Sequence, residues 1–300
     1  MNSKRKDTLS KWTKGIEYEV AFWNNVYRWK HTYEGMMGWS NYGMEIELEN
    51  FDAHSFLVSS DSRKVLDVGC GMSYATGNHI LLDGQLCPID IHYVDPLASY
   101  FNAILKRHKR RLPNIEFGMM EYLSDFYPSN SVDLIVIQNA LDHSSMPIRG
   151  IIESLNVIKV GGVLYLNHHV NEAETEHYKG FHQYNIMYED GKMIVWSKDH
   201  RWDINELLQP CAEVTACYND DTRHVVAVIK KTSDVSDVLL RNQDRKDLAN
   251  ILLLMCSERK SICSTLTHKL NFWKFNTIQF VVQALPWNIK MKLKKIIGQS

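Results

Sequence analysis

No excess of either charge marks this sequence. Its 34 basic and 35 acidic residues leave a net charge of -1, so attraction to phosphates would need a local patch, and no nucleic-acid partner is expected. Close cysteine pairs are missing too. The six cysteines stand singly at positions 70, 87, 211, 217, 256 and 263, which excludes a Cys-x-x-Cys zinc or thiol-exchange motif and points to a reduced, cytoplasmic setting. The charged start, Met1 to Asp7, runs into polar residues rather than an apolar signal-peptide core. No run approaches the roughly 18 apolar residues that a spanning helix needs; even 278–285 is broken by Gln279 and Gln283. Internal repeats and low-complexity linkers are likewise absent. What is present is 45% hydrophobic residues over 300 positions, enough for one catalytic core with extensions.

The pattern along the chain divides it at 1–62, 63–232 and 233–300. The first part carries Trp12, Tyr18, Phe22, Trp23, Tyr27, Trp29, Tyr33 and Trp39 among charges, with 16, 20, 23 and 27 at helical spacing. One or two amphipathic helices follow, either packed on the core or closing over a substrate as a lid. In the second part, Val65–Val68 and Ile91–Asp95 read as buried strands joined by a crossover helix. A strand around Ile115–Phe117 is fainter, and Val132–Ile137 and Gly162–Leu166 are strong, with a helix over 148–158 between them. Glu213–Tyr218 and His224–Lys231 flank Asn219-Asp220-Asp221 and form a closing hairpin. This alternation is that of an α/β sandwich, a mostly parallel sheet ending in an antiparallel hairpin with helical N- and C-terminal extensions.

The first strand ends in Asp67-Val68-Gly69-Cys70-Gly71. Glycines at 69 and 71 let the backbone turn sharply and approach a ligand, with a carboxylate beside the turn. A dinucleotide fingerprint needs a third glycine where this chain has Tyr74, which disfavours an NAD-dependent oxidoreductase. S-adenosylmethionine (SAM) has no phosphate but carries an ammonium that Asp67 can hold. Asp95, followed by Pro96 at the end of the second strand, can accept both ribose hydroxyls. Separately, either aspartate could simply cap a turn.

In order come the Asp67 loop, Asp95, Phe117-Gly118-Met119-Met120-Glu121, Val132–Val136 and the Gly161-Gly162 turn. That series resembles the class I SAM-dependent methyltransferases, especially the broad small-molecule group of type 11 or 12, from about Lys64 to Leu166. The resemblance implies a Rossmann-like sandwich, SAM as cofactor, and Asp67, Gly69, Cys70, Gly71, Asp95, Pro96, Met120, Glu121 and Asn139 as its binding residues. Where such families carry an adenine-binding Asp this chain has Met119, so Met120 and Glu121 are expected to take over that contact.

Methyl transfer is an in-line displacement from a sulfonium, so alignment is the main task, while a hydroxyl acceptor must also lose a proton. His143 in Gln138-Asn139-Ala140-Leu141-Asp142-His143 is the leading base, with Asp142 to orient it; its plainer reading is a helix cap. The polar loop beyond the fifth strand supplies His168, His169, Asn171, Glu172, His182 and Gln183 for a substrate. With Glu174 and His177 it holds enough ligands for a metal but no recognised metal spacing, so no metal is expected and hydrogen bonding to a polyhydroxyl substrate is more economical. Asn171-Glu172-Ala173-Glu174 followed by Tyr178-x-Gly180-Phe181-His182-Gln183 is similar to a segment of bacterial methyltransferases associated with surface-sugar or polysaccharide assembly.

The expectation is therefore SAM-dependent O-methylation of a small polar metabolite or saccharide, such as a sugar nucleotide or glycan precursor. A non-catalytic SAM-binding scaffold of a glycan-assembly system is the alternative. After Thr232, a helix over 235–257 is expected, then a tail in which Ile289, Leu293, Ile296 and Ile297 share one face beside Lys290, Lys292, Lys294 and Lys295. Such a helix lies on an anionic membrane surface or docks on protein with its lysines in water.

Overall fold

The computed structural model describes residues 3–178, 180–236, 239, 240, 266–286 and 289. Its centre is a seven-stranded sheet. The parallel strands are β1 (Lys64–Val68), β4 (Asp90–Asp95), β5 (Glu116–Phe117), β6 (Val132–Gln138) and β7 (Ile158–His169), and the antiparallel hairpin is β11 (Ala212–Asn219) with β12 (His224–Lys231). Their order is β11-β12-β7-β6-β1-β4-β5. β1 and β6 are almost wholly buried, as strands covered on both faces must be, which is why they read as unbroken apolar runs.

The chain builds outward from β1 through β4 to β5, then returns to β6 on the other side. That reversal lies at the carboxyl ends of β1 and β6, where open α/β sheets place their ligand crevice. Helix α4 (Ala98–Arg107), which the sequence reading did not include, follows β4, and helix α5 (Pro147–Val157) joins β6 to β7, as expected from the periodicity.

The crossover helix expected between Val68 and Ile91 is not there. A hairpin of β2 (His79–Leu82) and β3 (Gln85–Pro88) replaces it. Its two-residue turn is Asp83-Gly84, both with positive φ (49° and 76°); Asp-Gly between apolar residues is a strong short-range hairpin signal, and it overrides the expected alternation. Cover for this face comes from earlier in the chain: helix α3 (Ala53–Val58) and Ile46 pack with Val65, Ile80, Ile89, Leu134 and Val136. Beyond β7 and the short α6 (Glu172–Thr175), a second sheet forms from β8 (Asn185–Glu189), β9 (Lys192–Trp196) and β10 (Arg201–Asp203), with Asp190-Gly191 at its first turn. Helix α7 (Ile204–Leu208), capped by Asp203, leads into β11.

The expected N-terminal helices are α1 (Ser3–Arg28) and α2 (Lys30–Trp39). Trp23, Val26 and Tyr27 of α1 are buried against Phe101, Ile104 and Leu105 of α4 and against Cys70 and Met72 of the glycine loop. Tyr27 donates a hydrogen bond to the Met72 carbonyl at 2.6 Å. Helix α8 (Leu266–Ala284) packs on α1 with an inverted pattern. Gln279 and Gln283 are buried, and the Asn25 amide donates to Asn276 Oδ1 at 3.0 Å, whereas Leu266, Leu270, Trp273 and Val281 are exposed. The helix expected over 235–257 and the basic tail beyond Pro286, apart from Ile289, lie outside the described residues.

Candidate active site

The crevice is lined first by the turn that leaves β1. Gly69 (φ 70°) and Gly71 (φ 53°) hold backbone angles that side chains rarely adopt, and both are closely covered. A Cβ on Gly69 would lie 2.5 Å from Ala140 Cβ, and one on Gly71 would lie 3.0 Å from the Trp23 ring. The Val94 carbonyl pins the turn by accepting from Gly69 N–H at 2.8 Å. The glycines thus admit the turn after β6 on one side and α1 on the other. Cys70, between them, is buried, and its thiol is pushed well above its ordinary range by that burial.

Two carboxylates stand beside this turn. Asp67 is 3% exposed and accepts from the hydroxyl and backbone N–H of Thr76. Asp95, 6% exposed, accepts from Gly71 N–H at 3.0 Å and Leu97 N–H at 2.7 Å. Burial raises both, each to about 7, despite those hydrogen bonds. A cation placed here would favour their ionised forms. Pro96, half-buried, turns the chain from Asp95 into α4.

Helix α1 packs beside the glycine turn. Trp23 covers Gly71, and its indole N–H donates to Glu19 at 2.8 Å. At the other end, a Cβ on Gly15 would meet the Phe181 ring at 2.7 Å, so α1 also rests on the loop after α6. Its aromatics therefore pack on the core, the first of the two readings the sequence left open, and Trp23 does so beside the glycine turn.

The next wall is the segment around Met120. Met120 lies between Gly69 and Gly150 of α5, where added Cβ atoms would come within 3.4 Å and 2.9 Å of its side chain. Met119 is in the core among Phe101, Tyr122 and Leu97. Glu121, 3% exposed, commits Oε1 to the turn after β6, accepting from Ser144 Oγ at 2.6 Å, Ser145 N–H at 2.8 Å and Ser145 Oγ at 3.0 Å. Its carboxylate holds that turn in place. Asn139 adopts φ 47° and accepts the His169 N–H at 3.0 Å through its side chain.

That same turn delivers Asp142 and His143, two and three residues past the Ala140 that touches Gly69. Asp142, 2% exposed, meets a histidine 40 positions away: His182 Nδ1 is 2.7 Å from Oδ2. His143 Nε2 lies 3.2 Å from His182 Nδ1 and 3.5 Å from Asp142 Oδ2. The nearby imidazoles and their hydrogen bond outweigh burial and hold Asp142 at about 2, while Asp142 raises His182 to about 9. Glu172, facing the same group from α6, is pushed up to about 7 by burial and by Asp142. Beneath them His168 is 1% exposed, and neither ring nitrogen has a partner among the described residues; burial pushes its pKa down to about 3.

The fold thus gathers Asp142, His143, Glu172 and His182, with His168 below. The other three expected substrate residues have local duties. His169 sets its ring edge-on to His224 with centroids 4.0 Å apart, Asn171 accepts from the Trp196 indole at 3.0 Å, and Gln183 donates to the carbonyls of Tyr178 and Gly180. Thr76 and Glu19 brace the site without any sequence motif to announce them, whereas Phe181 lies in the 178–183 segment already singled out by its sequence.

Residues 66–166, roughly a third of the chain, match the sequence family described as "Methyltransferase domain". No curated relative matches the chain. Similar solved structures include the Thermus thermophilus 16S rRNA N2 G1207 methyltransferase in complex with AdoMet and guanosine, at 12% identity and TM-score 0.35, covering 63% of this chain and 41% of that one. Another is a SAM-dependent methyltransferase from Aquifex aeolicus, at 15% identity and TM-score 0.35, covering 60% and 88% respectively. A third is a Haloferax volcanii putative methyltransferase in complex with the Trm112 activator, at 13% identity and TM-score 0.34, covering 60% and 87%. At these scores the likenesses bear on neither substrate nor partner.

Proposed function

Residues 66–166 are a class I SAM-dependent methyltransferase domain, and from that premise we propose that the chain methylates a hydroxyl of a small polar metabolite or saccharide, such as a sugar nucleotide or glycan precursor. The observation that carries this reading is the Asp142–His143–His182 group, set on the turn that abuts Gly69 through Ala140. It brings proton-handling side chains to the cofactor crevice.

The residues fit the cofactor. Asp67 and Asp95, buried and raised toward neutrality, match a ligand with a sulfonium and an ammonium, and Asp95 has lone pairs left for ribose hydroxyls. Bound SAM supplies an activated methyl group that needs no acid to help its leaving group. The protein's share is then alignment, exclusion of water and removal of the acceptor's proton. Trp23 and Phe181, held by α1, exclude water from two sides. His182 is engaged by the Asp142 carboxylate at 2.7 Å, so the base role falls to the more exposed His143 and the Asp142–His182 pair orients it. Glu172 adds an acceptor for further hydroxyls of the substrate.

Methyl-labelled SAM incubated with a panel of sugar nucleotides and hydroxylated metabolites tests the reading. His143→Ala is expected to lower turnover about 100-fold or more while leaving SAM affinity within about twofold. Undiminished turnover in that variant rejects the base assignment, and SAM binding without transfer to any acceptor favours a scaffold.

A peripheral membrane contact fits the exposed apolar side of α8, where Trp273 is 68% and Leu266 74% exposed, followed in sequence by Lys290, Lys292, Lys294 and Lys295. No helix among the described residues is long and apolar enough to cross a membrane. Sedimentation with anionic vesicles but not neutral ones, weakened by Trp273→Ser, is the expected result; equal recovery with both vesicle types would remove the contact.

A further inference from the structure

Three donor atoms converge beside the cofactor crevice: Asp142 Oδ2, His143 Nε2 and His182 Nδ1, all within 4.8 Å of one another. Two of their separations, 3.2 and 3.5 Å, are close to those of ligands sharing one ion, and the third, 2.7 Å, is a hydrogen-bond distance that an ion would open by a few tenths of an ångström. With metal–ligand bonds of about 2.1 Å, neighbouring donors sit about 3.0 Å apart at right angles and about 3.4 Å apart at tetrahedral angles.

Hydrogen bonding alone accounts poorly for this arrangement. A ring nitrogen carries either one hydrogen or one lone pair, yet His182 Nδ1 faces both a carboxylate oxygen and a second ring nitrogen. If it donates fully to Asp142, it has no second hydrogen for His143. If it accepts from His143, its lone pair faces Asp142 Oδ2 at 2.7 Å. The second observation is independent. Asp142 is 2% exposed, and its Oδ1 has no hydrogen-bond partner among the described residues, so His182 satisfies only one of the two buried carboxylate oxygens and the other is left to a ligand.

We propose that Asp142, His143 and His182 bind one divalent transition-metal ion. Two imidazoles and one carboxylate suit zinc, cobalt, nickel, iron(II) or manganese, and are too nitrogen-rich for magnesium or calcium. Three protein ligands leave coordination positions open to a substrate oxygen. In its role, though not in its binding, the ion rests on the methyltransferase reading. It acidifies a coordinated acceptor hydroxyl, whose proton leaves to solvent; the oxygen then forms its bond to the methyl carbon as the carbon–sulfur bond breaks and leaves its electron pair on sulfur. Proton removal thereby passes from His143 to the ion. The motif escapes sequence inspection because its third ligand comes 39 positions after the second, from a loop that α1 presses into place through Phe181.

Untagged full-length protein, stripped with a chelator and dialysed, is titrated with cobalt(II) and followed by visible absorption, with S-adenosylhomocysteine calorimetry on the same sample. One cobalt per chain at micromolar affinity is expected. His143→Ala and His182→Ala should each weaken it at least tenfold while the exposed His200→Ala leaves it unchanged. Retained circular dichroism and S-adenosylhomocysteine binding in His143→Ala, the more exposed ligand, exclude misfolding as the cause. Protein that binds S-adenosylhomocysteine but takes up no cobalt at millimolar concentration overturns the site, as does cobalt binding insensitive to both histidine variants. Cobalt uptake without S-adenosylhomocysteine binding supports the ion site and refutes the methyltransferase reading instead.

Discussion

SAM affinity should rise with pH below neutrality, because Asp67 must be ionised to hold the ammonium and Asp95 to accept from both ribose hydroxyls, and burial raises each to about 7. The sign follows from linkage. A carboxyl raised in the folded state stabilises the ligand-free protein fully below its unfolded value of about 3.9, and that contribution is lost as pH climbs through 7. Lifting a carboxyl from that ordinary value to about 7 corresponds to roughly 4 kcal/mol per group at most. Bound ligand favours the charged forms, so binding releases protons. Below pH 7 the ionised fraction of each group falls nearly tenfold per pH unit, so affinity should rise roughly tenfold from pH 5.5 to 6.5 for one linked carboxyl and up to about a hundredfold for two. The cofactor's own amine stays protonated over that range. Calorimetry in two buffers of different ionisation enthalpy reads both the affinity and the protons released. Asp67→Asn should remove one proton from the count and shallow the slope. Affinity flat between pH 5.5 and 7, with no proton release, would refute the reasoning.

Gly69→Ala should destabilise the protein by about 1–3 kcal/mol and weaken SAM binding more than tenfold, because its methyl would lie 2.5 Å from Ala140 at a φ of 70°; denaturant melts and calorimetry check both. Trp23→Ala removes a 7% exposed aromatic from both the core and the cover over Gly71. A loss of about 3–5 kcal/mol together with faster SAM dissociation is expected, and an unchanged dissociation rate in stopped flow would mean that α1 packs without covering. His168→Leu exchanges two buried, unpartnered ring nitrogens for apolar carbon, so the melting midpoint should rise by the equivalent of about 1 kcal/mol; a marked fall would show that the ring has a partner in solution.

The parallel strands were legible because burial on both faces leaves continuous apolar runs such as Val132–Ile137. The glycine turn was legible because positive φ demands glycine, and the buried aspartates because they stand at the carboxyl ends of those strands. Short-range turn chemistry was the weak point. Asp83-Gly84 specifies the β2–β3 hairpin by itself, but an expected alternation of strand and helix outweighed it. The candidate site was half legible. Asp142 and His143 follow β6, whereas the choice of His182 and Glu172 over His169, Asn171 and Gln183 depends on how the loop after β7 folds back. There Gln183 N–H donates to the Asp142 carbonyl at 3.3 Å, and sequence spacing records nothing of such a contact. Glu121 carries a similar lesson: its position suggested an adenine contact, but three donors from Ser144 and Ser145 claim its Oε1.

A crystal structure of the protein with S-adenosylhomocysteine tests most directly whether the glycine turn and the Asp142 group form one active site. The ribose hydroxyls are expected on Asp95, the amino acid portion near Asp67, and the sulfur facing the space in front of His143 and His182. A cofactor seated with its sulfur turned away from those two histidines would contradict a single site.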